Sequence, residues 1–256
     1  MGTGLVISIV CIVVVGYFLY RSRKRDEGNY IVPKNMQQLL LDNVAFYNNL
    51  SEKEKPVFEE RVKYFLKNVA IRGVDTTVIP LDRILVGAGA IIPIFAFPDW
   101  KYNNISEVLL YKGTFNKEYS TAGAERNVLG MVGDGAMQRE MILSQPSLRA
   151  SFQNPTDGQN TTIHEFAHLI DKADGATDGV PEYLLAKPYI LPWIKLMHET
   201  IEEMKKKKYP DINPYGATNE AEFFAVVSEY FFEKPGELQT HHPELYTMLE
   251  AMFHPK

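Results

Sequence analysis

His164-Glu165-Phe166-Ala167-His168 sets two imidazoles four residues apart, with a carboxylate directly after the first. Residues four apart share one face of a helix, so the two rings converge on a point that suits a tetrahedral zinc ion. The glutamate leans toward the same space, where it can take a proton from an activated water without ligating the metal. Hydrolytic zinc sites use three protein ligands and keep a fourth position open. The third ligand must therefore come from elsewhere. Glu222 and Glu229 are the candidates: they lie seven apart in the stretch Ala221 to Tyr230, on one face of a helix, and spacing does not choose between them. Glu222 stands three residues after Asn219, as a capping-box glutamate would, while Glu229 has the alternative of an exposed helix carboxylate. Asp171, three residues after His168, is a candidate acceptor for the free ring N–H of a ligating histidine. His198, His241, His242 and His254 lack ligand spacing and read as surface or packing residues.

These side chains need elements to hold them. Asn160 is placed to cap the motif helix and Gly175 to end it. On that helix Ile163, Phe166, Ala167 and Ile170 form an apolar stripe, and His164, His168 and Asp171 a polar one. The second helix of the site runs from about Asn219 to Glu233. Between the two lies a helix with Trp193, Met197, Ile201 and Met204, ending in Lys205 to Lys208, where positive charge suits a helix C-terminus. Upstream, Ser51 with Glu54 opens a helix through Phe58, Val62, Phe65, Leu66 and Val69 up to Gly73. Leu81 to Phe95 gives a second stripe, whose small residues Gly87 to Ala90 permit close packing. Glu107 to Lys112 and Arg139 to Leu143 read as strands, with Gly130, Gly133 and Gly135 as turns between them. A last short helix follows Pro243. The class is α+β, mostly helical with a small sheet, and the strand at Arg139 to Leu143 is expected to offer its edge to an extended peptide.

Of the 256 residues 45% are hydrophobic and 23% charged, as in a folded domain, and the net charge of -5 gives no footprint for nucleic acid. Cys11 is the single cysteine, so an intrachain disulfide and cysteine-based structural zinc sites are excluded by counting. Gly4 to Tyr20 carries no charged side chain, and its 17 residues reach about 25 Å as a helix, the short end of a bilayer span. Arg21-Ser22-Arg23-Lys24-Arg25 follows it. Positive charge after the apolar run, with none before, does not fit a cleavable signal peptide and predicts an N-terminus outside and a cytoplasmic remainder. The expected organisation is a transmembrane anchor with a basic flank over 1–25, meeting the membrane through 4–20, and a zinc metallopeptidase domain over 30–256.

Two blocks carry a family resemblance: Asn160 with His164 to Asp171, and Ala221 to Phe232. They resemble the peptidases similar to Mlc titration factor A, zinc metallopeptidases of the gluzincin type. Weaker echoes are Phe46-Tyr47 with Leu50-Ser51, Glu107 to Tyr111 leading to Phe115, and Ile142 to Ser144. The likeness extends from about Met36 to the C-terminus. It implies a zincin-like fold, His164, His168 and Glu222 as ligands of one zinc ion, and Glu165 as the general base. Tyr215, seven residues before Glu222, stands where related gluzincins, including anthrax lethal factor, have a tyrosine that donates to the developing oxyanion. The implied activity is peptide-bond hydrolysis, as an aminopeptidase more than an endopeptidase, on a peptide or protein substrate. The family's namesake sequesters a transcriptional repressor, which makes a regulatory partner the second expectation. Three features depart from the family pattern: the apolar N-terminus, Val44 where a proline is usual, and the stretch from Ser120 to Gly135. A purely structural zinc domain would need a fourth protein ligand that the motif does not offer.

Overall fold

A computed structural model describes residues 30–116, 128–133 and 139–254. The anchor expected over 4–20 and its basic flank lie outside these residues. Among the described residues no helix is long and apolar enough to cross a membrane.

The described residues open on two short helices, α1 (Met36–Asn43) and α2 (Ala45–Asn49), and then α3 (Glu54–Asn68). Half of the expected capping box is present: the Glu54 carboxylate accepts the Ser51 N–H at 2.8 Å. Phe58, Val62, Phe65 and Leu66 are buried along one stripe of α3. The helix ends at Asn68 and not at Gly73. Val69 is already extended, and Ala70–Val74 forms strand β1, whose pairing with a strand far downstream outweighs the local helical periodicity.

Helix α4 (Pro80–Ile91), continued by a 3-10 turn at Ile92–Ile94, is buried from Asp82 to Ile91. Its buried Asp82 is paired with Arg149, and from Ile84 onward it is apolar on every face, as a core helix is. It crosses the motif helix at Gly89, where a β-carbon would stand 2.3 Å from Thr162 Cγ2. Glycine there permits an approach that any other residue would block.

Four strands form one sheet in the order β1-β2-β4-β3, with β2 at Glu107–Tyr111, β3 at Gly130–Val132 and β4 at Glu140–Ser144. β1, β2 and β4 are parallel, and β3 pairs antiparallel to β4. Side chains alternate between faces. Val108, Leu110, Met141 and Leu143 enter the main core, while Tyr111 and Ile142 join Phe115 in a small cluster behind the sheet. β4 is therefore an interior strand. Its two edges are taken by β2 and β3, which corrects the expectation that this segment offers an edge to a peptide. Among the described residues the edges are β1 and β3, and Gly130 is a strand residue and not part of a turn.

After β4 the chain is helical: α5 (Gln145–Gln153), the motif helix α6 (Thr161–Asp171), α7 (Lys187–Lys205), α8 (Glu220–Glu233), α9 (Pro235–His241) and α10 (Pro243–Phe253). α8 is buried continuously from Phe223 to Phe231 and packs beside Trp193 of α7 and Phe253 of α10. The core thus fixes the helix that carries the two downstream glutamates.

Candidate metal centre

The two helices of the site are capped as their sequences require. Asn160 Oδ1 accepts the N–H groups of Thr162 and Ile163 at 3.1 and 3.0 Å, and Asn219 Oδ1 accepts that of Glu222 at 2.9 Å. Gly175 ends the motif segment in the left-handed region, at φ 103°. With Ile163, Phe166, Ala167 and Ile170 buried, α6 turns its histidines toward α8. His164 Nε2 and His168 Nε2 lie 3.1 Å apart, and Glu222 Oε2 lies 3.0 Å from the first and 3.3 Å from the second. Among the described residues these three form the one group of histidine and acidic side chains able to hold a metal ion.

The spacing fits a metal. With metal–ligand bonds of about 2.0–2.1 Å in a tetrahedron, ligand atoms stand roughly 3.3 Å apart. Two imidazole nitrogens that face each other across 3.1 Å cannot both carry hydrogen, so at least one lone pair points at the centre beside a carboxylate, a place that a proton or a metal cation can fill. The electrostatics agree. Burial alone would lower the His164 pKa, but the carboxylates of Glu222 and Glu229 outweigh it and push the group up to about 10. Burial likewise opposes the charge on Glu222, and the two imidazoles win, holding its carboxyl far below the usual range.

Glu229 is buried, contrary to its reading as an exposed carboxylate. Its Oε1 lies 2.7 Å from His164 Nδ1 and its Oε2 accepts the Asn160 N–H. An acceptor at Nδ1 puts the ring hydrogen there and leaves the Nε2 lone pair aimed at the centre. One turn later Glu233 accepts the N–H groups of Gly158 and Gln159 at 2.9 and 3.0 Å, and Asn160 Nδ2 at 3.0 Å. Burial pushes Glu233 up to about 7 despite these donors. Two carboxylates of α8 therefore clamp the start of α6. The signal in the sequence was the shared face of Glu222 and Glu229, which holds a ligand candidate and its neighbour's orienting group at once.

Asp171 does not take the expected place. It is fully buried and accepts the Gly179 N–H at 3.0 Å, with no hydrogen bond to His168. The loop at Gly179 takes only Oδ2, while Asp171 Oδ1 and His168 Nδ1 are both buried without a hydrogen-bond partner among the described residues, and burial raises the carboxyl to about 6. His198 pairs with exposed Glu220, and His241 and His242 gather at Asp211.

Glu165 is buried beside the centre. Burial raises its carboxyl, the two imidazoles pull it back, and the charges of Glu222 and Glu229 push it up again. β3 runs directly against it: a β-carbon on Gly130 would stand 2.6 Å from Glu165 Cγ and Oε1. A methyl at 130 must displace that carboxylate or the strand. Gly130→Ala is expected to retain the fold and the metal while cutting hydrolysis by roughly 10- to 100-fold, measured as turnover beside metal content. Unchanged turnover would show that the carboxylate has slack there.

Tyr215 stands at the rim, 53% exposed, with its hydroxyl donating to Glu222 Oε1 at 3.3 Å. Burial of the phenol and the charge on Glu222 push it up to about 12, so it remains a proton donor through the neutral range.

Two imidazoles and a carboxylate converging beside a buried glutamate, on helices packed against a small sheet, define a centre of the metallopeptidase class. A family profile, that of the glucose-regulated metallo-peptidase M90, matches residues 19–254, and the chain belongs to that family. Among similar proteins, an uncharacterized protein of Synechocystis sp. is 28% identical over 232 residues, 87% of this chain and 84% of its own length. Mlc titration factor A of Klebsiella pneumoniae is 26% identical over 232 residues, 86% and 85% of the two chains. Mlc titration factor A of Pectobacterium atrosepticum is 28% identical over 177 residues, 63% and 64% of the two chains. The family implies a metal and peptidase chemistry.

Proposed function

We propose that the protein is a zinc-dependent peptidase with His164, His168 and Glu222 as ligands of one ion, Glu165 as general base and Tyr215 as oxyanion donor. The observation that carries this is the convergence of two Nε2 atoms and a carboxylate at tetrahedral spacing beside the buried Glu165. Zinc supplies Lewis acidity when bound, polarising the scissile carbonyl and acidifying a water. Glu165 accepts the water's proton and passes it to the leaving amine, and its raised carboxyl is suited to both transfers. Tyr215 donates to the oxygen that becomes negative. The short edge strand β3, beside Glu165, supports an extended peptide by main-chain pairing.

Aminopeptidase action, an anchor over 1–25 and a cytoplasmic catalytic domain over 30–256 complete the proposal, the last two resting on the uncharged run Gly4 to Tyr20 and the basic flank after it. Purified protein should hold one zinc per chain and cleave peptides with free N-termini faster than blocked ones; a faster blocked series would mark an endopeptidase. Protease added outside intact cells should spare everything after Arg25, and digestion of the domain there would reverse the orientation. A second reading has its own support, since relatives bear the name Mlc titration factor A: the chain would bind a transcriptional regulator, with hydrolysis secondary. A cellular phenotype that persists in a variant without cleavage would favour it.

A further inference from the structure

We infer that Asp211 is a positioning residue for Tyr215, pinning the connection between α7 and α8 over the candidate metal centre. The inference rests on the proposed role of Tyr215. That connection, residues 206–219, holds one four-residue 3-10 turn, Pro214–Ala217, and Tyr215 lies in it. The ring is 53% exposed, its hydroxyl contact is 3.3 Å long and its one ring neighbour among the described residues is His164 at 6.1 Å between centroids, so the side chain's own packing holds it on one side only. Where the phenol points follows from where its backbone is tied.

The turn itself sits on α8, with buried Gly216 against Val226, and a second tie is Asp211, four residues earlier. Its Oδ2 accepts from His242 Nε2 at 2.8 Å and from the Tyr230 hydroxyl at 3.0 Å, and lies 3.4 Å from His241 Nδ1. The ring of Tyr209 stands edge-on to His242 with centroids 4.6 Å apart, so both flanks of Pro210 grip the same imidazole. Ile212 is buried, and Asn213 Oδ1 accepts the Tyr215 N–H at 3.0 Å. Burial would raise the Asp211 carboxyl, yet donation from His242 and Tyr230 holds it below the usual range, as expected of a carboxylate in use as an acceptor. Tyr230 and Glu222 belong to the same helix, α8, eight residues apart. Asp211 therefore references the Tyr215 segment to the rigid element that carries the third ligand candidate, and neither Asp211 nor His242 touches the centre.

The test uses the full chain loaded with zinc, with 3-fluorotyrosine at position 215 read by fluorine NMR, beside steady-state kinetics of Asp211→Asn, His242→Gln, Tyr215→Phe and the double variant D211N/Y215F. Asp211→Asn and His242→Gln are each expected to move the fluorine line toward that of free fluorotyrosine. Each should also lower kcat by roughly 10- to 100-fold with KM within about twofold. The double variant should be no slower than Tyr215→Phe alone. Losses that multiply in the double variant would overturn the inference, as would an unmoved fluorine line. If Tyr215→Phe is as active as the natural protein while the line still moves in Asp211→Asn, the oxyanion role fails and the anchoring stands. Should Asp211→Asn not fold, His242→Gln carries the same two readouts from the other side of the contact.

Discussion

Glu165→Gln should abolish peptide hydrolysis while leaving one zinc per chain. Removal of a positioned acid–base group costs about 10²- to 10⁴-fold in rate, and glutamine keeps the shape that fits against Gly130. The stability change has a defined sign. Burial raises the Glu165 carboxyl, so its ionised form is disfavoured in the folded state and contributes against folding at neutral pH. In the metal-free protein a neutral amide removes that cost, and the chelated variant should melt no lower than the chelated natural protein at pH 7. Turnover by peptide cleavage, zinc by elemental analysis and the melting midpoint together separate loss of the base from loss of the site. Undiminished cleavage would refute the assigned mechanism.

Removal of the metal should have the second large effect, and it should depend on pH. In the metal-free protein His164 is raised from 6.5 to about 10. A raised histidine contributes stability that is fully present below its unfolded pKa and is lost as pH rises through the folded one. The metal-free midpoint should therefore fall between pH 7 and 10, while Glu222, whose carboxyl is held low, stays ionised throughout that window. Zinc takes the place of the proton and should flatten the profile. At zinc about 1,000-fold above Kd the gain is ~4 kcal/mol, which at about 2–4 °C per kcal/mol for a chain of this size raises the midpoint by roughly 8–16 °C. Calorimetry with and without chelator across that range measures it; identical profiles would mean that no metal binds between His164 and Glu222.

How much of this was legible in the sequence follows from the range of each interaction. The cap at Asn160, the stripe on the motif helix and the helix of Glu222 are local patterns, and all three are found as read. The pairing of Glu229 with His164 spans 65 residues, and no local signal separates an orienting carboxylate from an exposed one. β1 failed for a related reason. Val69 continues the helical stripe of α3, and the strand that begins at Ala70 is decided by Glu107 to Tyr111, far along the chain. β3 has three residues and starts with a glycine, too short for an alternation to show, so the sheet edge was assigned to the neighbouring strand β4. Asp171 has the right spacing for His168, but its Oδ2 accepts the Gly179 N–H, a contact that spacing within one helix cannot reveal.

The clamp of Glu229 and Glu233 on the start of the motif helix bears on the order of assembly. It joins the two ligand-bearing helices through contacts that involve no metal. Small zinc domains that fold only around their ion hold it as part of their architecture. Here protein-only contacts already tie together the two helices that bear the ligand candidates, so the geometry for a metal is set by the protein itself and an ion would add to that frame.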